Sequence, residues 1–191
     1  MKPCKKILVI VPSWIGDLII SQSFFKQLKL QNQNSTIDVV IRSNLITIAD
    51  MMPEIDKKFI LDVSHGSLGF IKRYRLSKEL KKYSYNEAYI LTNSFKSAII
   101  PWLASIPIRI GYVGEMRYGL INKIFSEKKF ELPMVNRFLK LIDSVYQEEL
   151  APELKLDTVK HQEINQKFKI NKNDKNVFLC PDAEYGEAKR W

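Results

Sequence analysis

The 191-residue chain is 46% hydrophobic and 27% charged, a balance that excludes a disordered tail and suits one folded domain, or one domain and the start of another. Its 30 Lys and Arg against 21 Asp and Glu leave a net charge of +9. That excess favours anionic partners (nucleic acid, an acidic membrane surface or a phosphorylated substrate), although a lysine-rich composition can equally reflect genome base content.

The first element is a continuous β-branched run at 7–11, suited to a central parallel strand buried on both faces. Pro12-Ser13-Trp14-Ile15-Gly16-Asp17 breaks it, and apolar residues then recur at helical spacing over 18–30. Residues 37–41 read as a second strand, which completes a βαβ unit. A short helix follows at 45–52, then a strand at 58–63, a loop around His65, and a basic helix at 68–82. Further strands are expected at 87–91 and 108–112, with a helix at 94–104 between them. An amphipathic helix is expected over 135–150, with Phe138, Leu139, Ile142, Val145 and Tyr146 on one stripe. Strands alternating with helices predict an α/β fold: a Rossmann-like, open, doubly wound, mostly parallel sheet. Residues 1–152 form this domain, 153–175 a polar connecting region with a short helix, and 176–180 the first strand of a second α/β unit reaching Trp191.

Cys4 and Cys180 are isolated thiols without metal-ligand spacing, as expected for buried or incidental residues in a reducing compartment. No run approaches the roughly 18 apolar residues of a membrane helix. The basic start precedes an apolar run too short for a signal peptide, interrupted by Pro12, Trp14 and Asp17. A cytoplasmic protein is the simplest expectation.

In open α/β sheets ligands bind at the carboxyl ends of strands, so the loops there are the places to look for chemistry. In the first loop, Gly16 permits close backbone approach, and Asp17 falls on a first helical turn, where the helix dipole favours a carboxylate. Two roles fit Asp17: a general base towards a sugar hydroxyl, or an acid that only stabilises its helix. Neither nucleotide-binding glycine fingerprint is present. Asn93-Ser94-Phe95-Lys96-Ser97 follows a strand; Asn93 or Ser94 would cap the next helix, and Lys96 would meet an anion or simply be solvated. Arg109-Ile110-Gly111-Tyr112 and Gly114-Glu115-Met116-Arg117-Tyr118-Gly119 hold guanidinium forks and aromatic rings suited to phosphate and sugar, or make an ordered turn. The basic helix with Lys72, Arg73, Arg75, Lys78, Lys81 and Lys82 would face an acidic membrane, an acceptor phosphate or only solvent. His65 is a lone loop histidine, and no His/Cys cluster suggests a metal.

Taken together these segments resemble the lipopolysaccharide ADP-heptose heptosyltransferases. The matching pieces are Pro12-Ser13-Trp14-Ile15-Gly16-Asp17 with Ser21-Gln22-Ser23, then Met52-Pro53-Glu54-Ile55-Asp56, Asn93-Ser94-Phe95-Lys96-Ser97, the stretch from Gly111 to Gly119, and Cys180 to Trp191. They stand in family order. The resemblance implies the N-terminal half of a glycosyltransferase B type fold, with two facing Rossmann-like domains. The first would take the growing lipopolysaccharide inner core at the inner membrane surface, and the second the donor ADP-L-glycero-D-manno-heptose. It implies an inverting transfer, the second heptose favoured, with no metal and no cofactor. Asp17 matches the family's general base, and Lys189 a lysine beside the donor diphosphate. Ser13, Gly16, Asn93, Lys96 and Arg117 would then help hold the acceptor.

Two departures bear on the donor. Asp182 stands where the family has Gly, and Glu187 where it has Pro; the added charge and Cβ would weaken diphosphate binding. The chain also stops soon after the second unit begins, so it is expected to be nearly inactive alone. The rival expectation is a non-enzymatic α/β module binding an anionic glycolipid or another phosphorylated ligand. A nucleic-acid binder ranks last, since no nucleic-acid motif accompanies the charge.

Overall fold

The computed structural model describes residues 4–63, 68–126, 132–171, 173–177 and 179. It divides into two compact units, Met1–Lys155 and Leu156–Trp191.

The first unit is built on six strands: β1 (Lys6–Ile10), β2 (Thr36–Ile41), β3 (Lys57–Ile60), β4 (Glu87–Ile90), β5 (Ile108–Tyr112) and β6 (Lys123–Phe125). All pair in parallel, in the order β3-β2-β1-β4-β5-β6. Both faces of β1 are covered, which is why its sequence is continuously apolar rather than alternating. Ile7, Val9 and Val11 enter one core with Phe24, Phe25, Leu45 and Leu139, while Leu8 and Ile10 enter the other with Leu76, Leu80, Ala98 and Ile100.

The helices sort by these two cores. On the first face lie α1 (Ile15–Ile20), α2 (Gln22–Gln31), α3 (Ile46–Asp50) and α6 (Met134–Lys140); on the second lie α4 (Phe70–Lys81) and α5 (Phe95–Leu103). The single helix expected over 18–30 is two. The Ser21 hydroxyl donates to the Leu18 carbonyl at 2.6 Å, competing locally with the helical ladder.

Three other expectations are corrected. The helix predicted over 135–150 ends at Lys140: Asp143 adopts a left-handed φ of 53° and the Ser144 N–H returns to the Leu139 carbonyl, a C-terminal cap. Phe138, Leu139 and Ile142 are buried, but Val145 and Tyr146 are exposed. Strand β6 was not expected, since its three residues carry no extended apolar pattern. The strand expected at 176–180 falls partly outside the described residues; Asn176, Val177 and Leu179 are not in a strand, and no described neighbour offers them a ladder. Of the two readings of Cys4, buried or incidental, its exposure leaves the second; Cys180 and His65 lie outside the described residues.

The first unit continues past the expected end at 152. Gln22, fully buried, accepts the Glu153 N–H at 2.8 Å and donates to the Glu153 carbonyl at 2.9 Å. Lys26 Nζ donates to the Ala151 carbonyl, and the Lys155 N–H to the Met51 carbonyl. The second unit contains α7 (Thr158–Lys167). No helix among the described residues is long and apolar enough to cross a membrane.

Candidate functional site

Strand order places the candidate site. The chain moves outward from β1 through β2 to β3, then crosses back to β4 on the other side of β1. The carboxyl ends of β1 and β4 therefore diverge at a topological switch point, where open α/β sheets bind ligands. Two hollows open there, sharing Pro12, Ser13, Thr92 and Ser94. Both lie within the first unit.

The smaller hollow, about 300 Å³, holds Asp17, which sits half-buried in the first turn of α1. Around it are Ser13, Trp14, Asn93, Ser94, Tyr112, Arg137 and Phe138. A Cβ added at Gly16 would meet nothing within 4 Å, so the backbone beside Asp17 is open to an incoming group. The far wall comes from α6. The Tyr112 hydroxyl donates to the Arg137 carbonyl at 2.8 Å, and the Arg137 guanidinium lies over the Tyr112 ring at 5.4 Å. One carboxylate, one guanidinium, several hydroxyl and amide groups and aromatic walls are what a polyhydroxylated ring needs.

The larger hollow, about 430 Å³, is cationic. Arg42 extends from the end of β2, Arg73 from the inner side of α4, and Lys96 from the first turn of α5. Burial depresses the Arg73 pKa, and the charge of Arg42 depresses it further, so two guanidinium groups crowd one space. The Glu115 carboxylate lines the same hollow but accepts the Phe95 N–H at 2.7 Å, capping α5. Arg73 also donates to the Leu68 and Lys96 carbonyls and Arg42 to the Val63 carbonyl, but unlike Arg117 both guanidinium groups line the hollow, and their other N–H groups suit phosphate or carboxylate.

The structure brings Ser13, Gly16, Asp17, Asn93 and Lys96 to this one rim. Arg117 is corrected. It is 2% exposed, and its guanidinium donates to the backbone carbonyls of Thr92 and Tyr112. Burial depresses its pKa. A side chain so engaged positions the 113–119 loop rather than meeting an acceptor. Lys189, Asp182 and Glu187 lie outside the described residues. Arg42 and Arg137 escaped the sequence reading. Arg42 had a signal, its place directly after a strand; Arg137 had none, because α6 reaches the rim only through the tertiary fold. Among the described residues no group of three or more His, Cys, Asp or Glu side chains gathers to hold a metal.

Comparison with known proteins agrees with this geometry. The sequence profile of glycosyltransferase family 9 (heptosyltransferase) matches residues 73–191. Lipopolysaccharide heptosyltransferase 2 of Escherichia coli (strain K12) is 36% identical over 97% of this chain and 56% of its own length. Lipooligosaccharide heptosyltransferase 2 of Haemophilus influenzae (strain ATCC 51907 / DSM 11121 / KW20 / Rd) is 37% identical over the same shares. The chain thus spans a little over half the length of these relatives. The structure of E. coli ADP-heptose lps heptosyltransferase II superposes with a TM-score of 0.85 at 34% identity, covering 97% of this chain and 57% of that one. The glycosyl transferase family 9 structure from Veillonella parvula DSM 2008 shares the fold, with a TM-score of 0.76 at 15% identity, covering 91% of this chain and 52% of that one. Fold, profile and sequence identity converge: the chain belongs to glycosyltransferase family 9, the heptosyltransferases.

Proposed function

We propose that this chain is the acceptor-binding part of an enzyme that transfers L-glycero-D-manno-heptose from ADP-heptose to the inner core of lipopolysaccharide, at the second heptose position and with inversion. The observation that carries the reading is Asp17, whose carboxylate shares one hollow with Ser13 and Asn93 at the switch point. The acceptor hydroxyl gives its proton to the Asp17 carboxylate as its oxygen bonds to the anomeric carbon of the donor. The bond from that carbon to the diphosphate oxygen breaks, and ADP leaves. Attack opposite the leaving group inverts the anomeric centre. Lys189 is assigned to the departing diphosphate by family resemblance.

The neighbouring cationic hollow supports an anionic acceptor. Arg42, Arg73 and Lys96 would hold phosphate or carboxylate groups of the inner core while the heptose ring sits between Trp14, Tyr112 and Asp17. The reading needs no metal and no cofactor, only the nucleotide-sugar donor. It places the protein in the cytoplasm, working at the inner membrane surface where the glycolipid acceptor is embedded.

Calorimetric titration with heptosylated Kdo-lipid A tests the substrate class on this chain. Saturable binding, weakened by Arg73→Gln and by Lys96→Gln, is expected. Binding that is absent, or indifferent to both substitutions, would overturn the reading.

A further inference from the structure

Helix α4 has two faces with different chemistry. Its inner face carries Leu76, Ser77 and Leu80 into the core and Arg73 into the cationic hollow. Its outer face begins with large apolar side chains in water: Phe70 is 57% exposed, Ile71 65% and Tyr74 42%. The Phe70 and Tyr74 rings stack at 6.4 Å, and the Lys78 ammonium lies over Tyr74 at 4.8 Å. Farther along come Arg75, Lys78, Lys81 and Lys82, all exposed, none in an ion pair among the described residues. Glu79 is the sole acid on the helix.

Successive residues turn by about 100° around a helix, so Phe70, Ile71, Tyr74, Arg75, Lys78 and Lys82 share one side. Apolar side chains at one end of that side and cations at the other match the interface of an anionic bilayer, where rings and aliphatic chains enter the headgroup region and cations meet phosphate. A second copy of the chain fits less well, because a two-fold contact would bring together two faces of the same net positive charge. A nucleic-acid backbone would use the cations but leave Ile71 without a purpose.

We infer that the outer face of α4 docks the protein on anionic lipid, with Phe70, Ile71 and Tyr74 inserted and Arg75, Lys78 and Lys82 paired to headgroup phosphates. The orientation explains why one helix serves both sides: with its outer face on the bilayer, Arg73 opens into a hollow close to where a glycolipid's sugars leave the membrane. That last link rests on the acceptor reading above; the docking surface does not.

Co-sedimentation of the full chain with phosphatidylcholine vesicles, with and without phosphatidylglycerol, tests the surface. Binding is expected only with the anionic lipid. Each basic residue near the bilayer contributes about fivefold in affinity, so Lys78→Gln with Lys82→Gln should weaken binding by at least about tenfold. Ile71→Asp should weaken it similarly. Lys140→Gln with Lys155→Gln, equal in charge but elsewhere, should leave it unchanged. All five substituted side chains are exposed, and unaltered circular dichroism checks that the fold persists. Binding that falls equally in both lysine pairs, or that ignores Ile71→Asp, would overturn the inference. So would duplex DNA binding lost with Lys78 and Lys82 while vesicles are not bound. These vesicles contain no sugar acceptor, so the docking surface and the acceptor reading can fail separately.

Discussion

The Arg117 guanidinium donates to the Thr92 carbonyl at 2.7 Å, tying two segments 25 residues apart. Thr92 lies where β4 ends and lines both hollows, so this bond fixes the 113–119 loop against the floor of the site. The same loop sends Glu115 to cap α5. Arg117→Ala should unpair several buried carbonyls and cost about 2–4 kcal/mol, since each unsatisfied buried group costs about 1–3 kcal/mol. Arg117→Lys should recover only part of that, because an ammonium cannot reproduce the planar fork. Urea denaturation of the three proteins checks both statements.

Asp17→Asn keeps the shape of the smaller hollow and removes its proton acceptor. Transfer should fall by at least about a hundredfold, the usual contribution of a positioned base, while acceptor affinity changes little. A fusion of residues 1–155 to the donor half of the Escherichia coli relative, assayed by mass spectrometry of the lipid product, provides the measurement. Full activity in Asp17→Asn would remove the residue from the chemistry.

Gly69 precedes α4 with a left-handed φ of 55°, and an added Cβ would lie 2.5 Å from Val63 Cγ1. Gly69→Ala should therefore destabilise the fold twice over, by the clash and by about 1–2 kcal/mol of backbone strain. Combining it with Val63→Ala should relieve the clash and leave the strain. Thermal unfolding of the single and double variants separates the two effects.

Gln22→Leu tests how the first unit ends. Leucine fills the space but leaves the Glu153 N–H and carbonyl without their partner. A loss of about 1–3 kcal/mol is expected, together with faster amide hydrogen exchange at Glu153. Unchanged exchange there would show that residues 151–155 are held by something else.

Asp38 supplies a pH dependence. Burial raises its carboxyl pKa, opposed in part by the Tyr85 hydroxyl, which donates to it at 2.6 Å. A raised native value means that the contribution of Asp38 to stability is full below the unfolded-state value, near pH 4, and is lost as pH rises through the native one. Asp38→Asn should therefore gain stability relative to wild type across that rise and hold the gain at neutral pH. Urea midpoints measured from pH 4 to pH 8 give the curve, and a flat difference would refute the assignment.

Much of this architecture was legible in the chain itself. The β-branched run at 7–11 suited a strand buried on both sides, and the alternation after it implied a parallel sheet, because short length and β-branching favour a strand and continuous apolarity reports burial. The loop after β1 announced Asp17 for the same reason: a strand's carboxyl end is a place, not only a sequence. What the chain could not say is which strands become neighbours. The order β3-β2-β1-β4-β5-β6 alone creates the switch point, sets Arg42 and Arg73 on one hollow, and carries Arg137 to the ring of Tyr112. Arg117 shows the limit most plainly. A guanidinium reads identically whether it will meet a substrate phosphate or a pair of backbone carbonyls, and only packing, which removes it from water, makes the choice.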